Sequence, residues 1–187
     1  IYLYVCILAS RGHGKSHEFS LAYPLWRMYG YSKPNDLNRL NREIELRKEG
    51  LLITNEFKLG RKLLSKIAAE ISSNDLLKER LLPDRSFDLG KDKISTRNGA
   101  ILELRSFGSQ IRGLHPGYII LDDFLDKSSI YSEEQREKFW EVFSAEIMNA
   151  IEPGGPVKIV GTPFHNKDLY AKLKTDKRWK VFEYPGI

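Results

Sequence analysis

A short segment near the start of the chain has the residue types and spacing of a polyphosphate-binding loop. Residues 10–16 read Ser-Arg-Gly-His-Gly-Lys-Ser and follow the apolar run 1–8. In such a loop, backbone N–H groups and a helix N-terminus surround the phosphates, Lys15 reaches the β and γ oxygens, and the Ser16 hydroxyl ligates Mg²⁺. Ala9 replaces the first glycine of the usual pattern. The alternative is a strand-to-helix turn that carries a surface lysine.

Two adjacent carboxylates follow an apolar strand farther along the chain. Residues 118–121 read Tyr-Ile-Ile-Leu and precede Asp122 and Asp123. ATP hydrolysis at a phosphate loop needs one carboxylate for the metal and one to orient or deprotonate the attacking water, so we assign these roles to Asp122 and Asp123, respectively. Many ATPases of this type have Glu at the second position, which leaves Glu133 and Glu134 as alternative bases. Two acidic residues that cap the next turn are the other interpretation.

A third strand end and two arginines extend the candidate site. Thr162 lies in Gly-Thr-Pro after the apolar run 157–160, where its hydroxyl can hydrogen-bond a γ-phosphate, although such tripeptides also occur in ordinary turns. Arg112 precedes the acidic strand, and its planar guanidinium suits phosphate oxygens in cis or on a neighbouring subunit. Arg11 has the same potential role, and a surface arginine is the alternative for both.

These assignments define three groups of candidate residues. The nucleotide-binding candidates are Ser10, Arg11, Gly12, His13, Gly14, Lys15, Ser16 and Thr162. The catalytic candidates are Asp123, Arg11 and Arg112. The metal ligands are Ser16 and Asp122, and the implied cofactors are ATP and Mg²⁺.

The elements that must position these residues alternate between strand-like and helical patterns, which predicts an α/β fold with a parallel central sheet. The predicted strands are 1–8, 51–54, 118–121, 157–160 and 179–184. A β-hairpin is predicted over 94–105 because Asn98-Gly99 separates two apolar alternations. The predicted helices are 15–29, 56–72 and 132–151. The highly charged segment 35–48 is expected to form a solvated helix or lid outside the core.

Composition excludes several classes of protein. The 187 residues carry a net charge of +5 and are 41% hydrophobic, which suits one domain with a real core and a polyanionic partner. The single cysteine, Cys6, rules out an intramolecular disulfide and is expected to be a small buried hydrophobe. No apolar stretch is long enough for a membrane span, and residues 1–8 lack the basic leader of a signal peptide. Because the chain opens without Met inside a strand, we expect a fragment.

Together these motifs resemble the ATPase domain of the large terminase subunit, the motor that packages DNA into tailed-phage capsids. The resemblance covers most of the chain. It rests on the arginine-containing loop 10–16, the strand and turn at 52–56, the hairpin leading to Ser-Gln-Ile-Arg-Gly at 109–113, the acidic strand 119–123, Gly-Thr-Pro at 161–163, and the tail that runs from 168–170 through 179–185.

The resemblance implies a three-layer, RecA-like P-loop fold with an additional strand. By motif position, Arg11 corresponds to the loop arginine that contacts the γ-phosphate, and Arg112 to the arginine proposed to act on a neighbour's ATP. Asp122 and Asp123 take the metal and catalytic positions. An Asp at the second of these leaves the identity of the base open.

The resemblance also implies partners and a location. The protein would form a homo-oligomeric, pentameric ring on the portal protein, with the small terminase subunit and double-stranded DNA as further partners. It would work at the viral procapsid in the host cytoplasm. The upstream adenine-binding segment is expected before Ile1 and an RNase H-like nuclease beyond Ile187, so this piece alone should hydrolyse ATP weakly and leave DNA uncut. The alternatives are another DNA-dependent, helicase-like P-loop ATPase and a nucleotide-gated assembly module with negligible turnover.

Two groups of basic residues are candidates for sequence-independent contact with the DNA backbone, which salt would weaken steeply. A solvated charged face is the alternative for each group. The groups are Lys58, Arg61, Lys62 and Lys66, and Lys172, Lys174, Lys177, Arg178 and Lys180.

Overall fold

The fold is described from a computed structural model, for residues 2–10, 14–31, 46–84, 89–111, 113–125 and 130–184. Within these ranges, seven strands form one sheet. They are β1 (Tyr4–Ala9), β2 (Glu49–Thr54), β3 (Lys93–Ser95), β4 (Ile101–Ser106), β5 (Tyr118–Asp122), β6 (Val157–Gly161) and β7 (Trp179–Tyr184). Most of the charged segment 35–48 lies outside the described residues.

The strand order is β3-β4-β2-β5-β6-β1-β7. Only the β3–β4 hairpin is antiparallel among these strand pairs, and Gly99 in its turn has a φ of 91°. The carboxyl ends of the parallel strands therefore meet at one edge of the sheet. β6 lies between β1 and β5, which separates the loop-bearing strand from the acidic strand by one additional strand. This order confirms the predicted α/β, additional-strand fold.

Helices cover both faces of the sheet and make it the middle of three layers. They are α1 (Tyr23–Gly30), which continues from a π-helical segment (His17–Ala22), α2 (Phe57–Ser73), α3 (Asp75–Leu81), α4 (Glu133–Val142) and α5 (Leu169–Thr175). α4 continues through a π-helical segment (Phe143–Ile147) into Met148–Ala150.

Side-chain caps set where several of these helices begin. Ser132 and Gln135 form a reciprocal capping box at the start of α4, as the Ser-Glu-Glu sequence suggests. Asn74 caps α3 and Asp168 caps α5 through backbone N–H groups of the first turn. Neither α3 nor α5 was predicted, because each is only seven residues long and offers too few turns for a clear apolar period.

The apolar runs of the central strands are continuous because both faces of the sheet are buried. In β2, Leu51 and Ile53 enter one hydrophobic cluster and Leu52 enters the other. Alternate residues of β5 divide in the same way. Cys6 of β1 is fully buried, and burial raises the pKa of its thiol, as expected for a structural cysteine. Among the described helices, none combines the length and apolar composition needed to cross a membrane.

Candidate active site

The turn after β1 leads directly into a helix at the carboxyl edge of the sheet. Gly14 has a φ of 71°, a left-handed conformation that glycine adopts at little cost. Its carbonyl accepts hydrogen bonds from the N–H groups of His17, at 2.8 Å, and Glu18, at 3.2 Å, which begins the helix. Arg11, Gly12 and His13, at the centre of the predicted loop, lie outside the described residues.

Lys15 joins the ends of three strands. Its buried ammonium group donates hydrogen bonds to the carbonyl of Ala9, the last residue of β1, at 3.1 Å, and to the Thr162 hydroxyl just after β6, at 2.9 Å. It also lies 3.8 Å from Oδ1 of Asp123, just beyond β5. The Thr162 hydroxyl in turn donates to the Ala9 carbonyl at 3.2 Å. A lysine held this way places a positive charge where the three strand ends converge.

Ser16 contacts the first of the two carboxylates. Its hydroxyl donates to Oδ1 of Asp122 at 2.9 Å. Burial raises the pKa of the Asp122 carboxyl to about 6, and the nearby Asp123 carboxylate adds to the rise, while Ser20, Ser16 and Lys15 oppose it. The ionised form of Asp122 is thus destabilised by burial, and such perturbed carboxylates are common at binding and catalytic sites.

The atoms around Asp122 fit a magnesium ion. Its second oxygen, Oδ2, is buried and has no hydrogen-bond partner among the described residues. The Ser20 hydroxyl lies one helical turn beyond Ser16 and is buried beside the same carboxyl. It makes no well-aligned hydrogen bond to any of the described residues. Hydroxyl and carboxylate oxygens are the ligands that Mg²⁺ prefers. Sequence reasoning missed Ser20, and its four-residue spacing from Ser16 was the available signal.

Asp123 has an unusual backbone conformation. Its φ of 41° is the only positive value among the described non-glycine residues, and its N–H donates to the Val160 carbonyl at 3.0 Å. The side chain is 38% exposed and so remains accessible to solvent near Lys15. Glu133, in contrast, lines a separate groove between α4 and α5, and Glu134 is exposed at the start of α4.

The loop that carries Thr162 is anchored by a buried carboxylate. Oδ2 of Asp168 accepts hydrogen bonds from the N–H groups of Phe164, at 3.1 Å, and His165, at 3.2 Å. Its Oδ1 accepts from Ala171 N at 3.2 Å. Asp168 therefore ties the Thr162 loop to the first turn of α5.

Gly161 allows Tyr170 to pack directly beneath this loop. A Cβ atom on Gly161 would overlap the Tyr170 hydroxyl, which is buried without a hydrogen-bond partner among the described residues. We expect Gly161→Ala to destabilise the fold by about 1–3 kcal/mol in urea unfolding, because overpacking must displace the ring. Tyr170→Phe should have little effect alone and should recover part of the loss in the double variant. A stability of Gly161→Ala equal to that of the wild type would contradict this packing.

The structure brings several predicted site residues together and leaves others untested. Ser16 meets Asp122, while Lys15 meets Thr162 and Asp123. Ser10 lies beside them, in the wall of an adjoining cavity. Arg112, like the loop centre, is outside the described residues. The carboxyl ends of the parallel strands therefore bring together the ammonium group of Lys15, the hydrogen-bonded oxygens of Ser16 and Asp122, and the accessible carboxylate of Asp123.

Comparison with known proteins gives structural neighbours only. No protein-family model and no curated protein matches this sequence. A solved structure of the Thermus phage P74-26 large terminase ATPase domain, an arginine-to-alanine variant, superposes with a TM-score of 0.53 and 12% identity, over 98% of this chain and 76% of that one. A second structure of the domain gives a TM-score of 0.53 and 14% identity, over 97% and 75%, respectively. The resemblance to this ATPase domain, expected from the motifs, is thus confirmed at the level of the fold.

Proposed function

We propose that this chain is the ATPase domain of a DNA-packaging motor, which hydrolyses ATP with Mg²⁺ and moves double-stranded viral DNA into a capsid. The observation that carries the proposal is the convergence on Lys15, whose ammonium lies 2.9 Å from the Thr162 hydroxyl and 3.8 Å from the Asp123 carboxylate. The similar fold of domains named as terminase ATPases supports it.

Each residue has a distinct task in this proposal. Lys15 binds the β- and γ-phosphate oxygens, and Ser16 and Asp122 hold Mg²⁺. When bound, the ion neutralises charge on the phosphates. Asp123 orients the attacking water and accepts its proton, since its side chain is accessible and near Lys15. Thr162 contacts the γ-phosphate and, through the Asp168-anchored loop, transmits its loss to α5.

Other parts of the proposal rest on the resemblance. Arg11 would contact the γ-phosphate, and Arg112 would act on a neighbour's nucleotide or in cis. The working assembly would be a pentameric ring that binds the portal protein and the small terminase subunit in the host cytoplasm. ATP would bind through the remaining loop residues as well, from Ser10 to Ser16.

Steady-state turnover tests the proposed activity. We expect the full-length protein that contains this chain to release phosphate from ATP only with Mg²⁺, and Lys15→Ala to reduce the rate to background because the phosphates lose their main cation. A wild-type rate no higher than that of Lys15→Ala would contradict the motor. If ATP nevertheless bound to the wild type, the protein would be a nucleotide-gated assembly module.

The surface charges favour α2 as the DNA contact. Exposed Lys58, Lys62 and Lys66 recur at four-residue spacing on α2, and none has an ion pair within the described residues. Most of the second basic group is neutralised instead. Its ion pairs are Lys172–Glu137 at 2.8 Å, Lys174–Glu183 at 2.5 Å and Arg178–Asp176 at 2.6 Å. Unpaired lysines can exchange counterions for DNA phosphates without first losing a protein partner.

Salt-dependent DNA binding tests this surface. We expect the double variant Lys62→Gln/Lys66→Gln to bind a short duplex more weakly and to lower the slope of log K against log salt by about 2, one for each lost phosphate contact. The matched control, Lys172→Gln/Lys174→Gln, removes two lysines that are already paired and should leave the slope unchanged. Fluorescence anisotropy over a salt series gives both slopes. If Lys172→Gln/Lys174→Gln lowered the salt slope and Lys62→Gln/Lys66→Gln did not, the C-terminal basic group would be the DNA contact and not α2.

A further inference from the structure

A cavity adjoins the candidate phosphate site on the side away from the acidic pair. It has a volume of about 530 Å³ and opens at the carboxyl ends of β1 and β7, with Ser10, Thr162, Pro163 and Tyr184 in its wall. Its size suits a small organic ligand. Ser10 and Thr162 belong also to the candidate phosphate site, so the cavity directly adjoins that site.

The two flanks of the phosphate site differ in how much room they leave. On the β5 side, Phe124 and Leu125 follow Asp123 and are both buried in the hydrophobic core. On the β7 side, the cavity is open. Within the part of the chain that the structure describes, the open space for the nucleoside of a nucleotide whose terminal phosphate lies between Lys15 and Asp123 is therefore on the β7 side.

Tyr184 gives this cavity an aromatic wall. It pairs in register with Ala9, the residue at which the phosphate loop begins, so its ring is carried to the same edge of the sheet. The side chain is 57% exposed, and no aromatic or cationic contact to its ring occurs within the described residues. An exposed ring at the mouth of a ligand-sized cavity is available for stacking on a planar group.

We propose that this cavity is the nucleoside subsite and that the base of bound ATP stacks on Tyr184. The inference rests on the proposed ATPase function and adds the position of the base and a residue that binds it. Stacking on an aromatic ring discriminates little among bases, because every base has a π face. Tyr184 thus contributes affinity for the nucleoside, and other groups supply any preference for adenine.

Calorimetric titration of the full-length protein with Mg²⁺–ADP and with Mg²⁺–tripolyphosphate separates the base from the phosphates. We expect Tyr184→Ala to weaken ADP binding about tenfold or more and to change tripolyphosphate binding by less than about twofold. Tyr184→Phe keeps the ring and should bind ADP like the wild type. Phe182→Ala is the matched control, because Phe182 is an exposed aromatic residue of the same strand, 37% exposed, that does not line the cavity.

The outcomes distinguish the subsite from the function on which it rests. Unchanged ADP affinity in Tyr184→Ala would overturn the subsite and leave the ATPase proposal standing. Equal losses of ADP and tripolyphosphate binding would show a general disturbance of the site and would also overturn it. A wild-type protein that binds neither ligand would refute the proposed function together with the subsite.

Discussion

Asp122→Asn is expected to abolish Mg²⁺-dependent hydrolysis and to make the nucleotide-free protein more stable. The asparagine oxygen can still accept the Ser16 hydrogen bond, and its amide can donate to the buried Ser20 hydroxyl, whereas the negative charge for the metal is lost. Loss of a metal ligand of this kind should lower turnover by on the order of a thousandfold. Turnover and stability should therefore change in opposite directions.

The stability gain follows from the raised pKa of Asp122. Burial raises that pKa from 3.8 to about 6, so the carboxyl keeps its proton to a higher pH in the folded protein than in the unfolded chain. Above pH 6 the charged form costs ~3 kcal/mol relative to the unfolded chain. As the pH falls from 6 toward 4, the folded state takes up the proton and the penalty disappears. The advantage of Asp122→Asn should thus be largest at pH 8 and nearly absent near pH 4.

Urea unfolding of the nucleotide-free protein across this pH range measures the effect. Asp168→Asn is the matched control, since Asp168 is equally buried but accepts three backbone hydrogen bonds through both of its oxygens. An amide cannot accept all three, so we expect the control to lose about 1–3 kcal/mol. A wild type more stable than Asp122→Asn at pH 8 would show that the buried charge is already compensated.

The sequence alone predicted which site residues lie at the ends of strands. It did not predict which of those strands are neighbours in the sheet. The phosphate loop and the acidic pair each follow an apolar run, so their position at strand ends is a local property. Which parallel strands are neighbours depends on packing between distant segments. The placement of β6 between β1 and β5, and with it the Lys15–Thr162 hydrogen bond, was accessible only through the resemblance to a known fold.

The remaining site features depend on side-chain surroundings that a linear pattern does not encode. Ser20 is an ordinary helix residue until its hydroxyl is found beside Asp122. Tyr184 matches an alternating edge strand whether or not a cavity lies next to it. Asp168 has the sequence signal of a helix cap, yet its bonds to Phe164 and His165 arise from how the preceding loop folds back. The left-handed backbone of Asp123 likewise depends on the turn that follows β5.

Asp123→Asn is expected to reduce turnover by about 10²–10⁴-fold while leaving ATP affinity near that of the wild type. The amide cannot accept the proton of the attacking water, but it fills the same volume. Asparagine also tolerates positive φ, so the backbone at 41° is preserved. Single-turnover hydrolysis and equilibrium ATP binding separate the two effects. Asp123→Ala should lose turnover similarly and, in addition, about 1 kcal/mol of stability, because alanine is strained in this conformation.

The neighbouring glutamates provide the decisive control for the base. Glu133→Gln/Glu134→Gln removes both alternative carboxylates from the first turn of α4, where Ser132 and Gln135 keep the capping box that starts the helix. Because Glu133 lines the α4–α5 groove and Asp123 lies 3.8 Å from Lys15, we expect this double variant to retain turnover within about threefold of the wild type. If the glutamate variant lost turnover while Asp123→Asn retained it, the general base would be a glutamate of α4 and not Asp123. That result would also require α4 to approach Lys15 during the reaction.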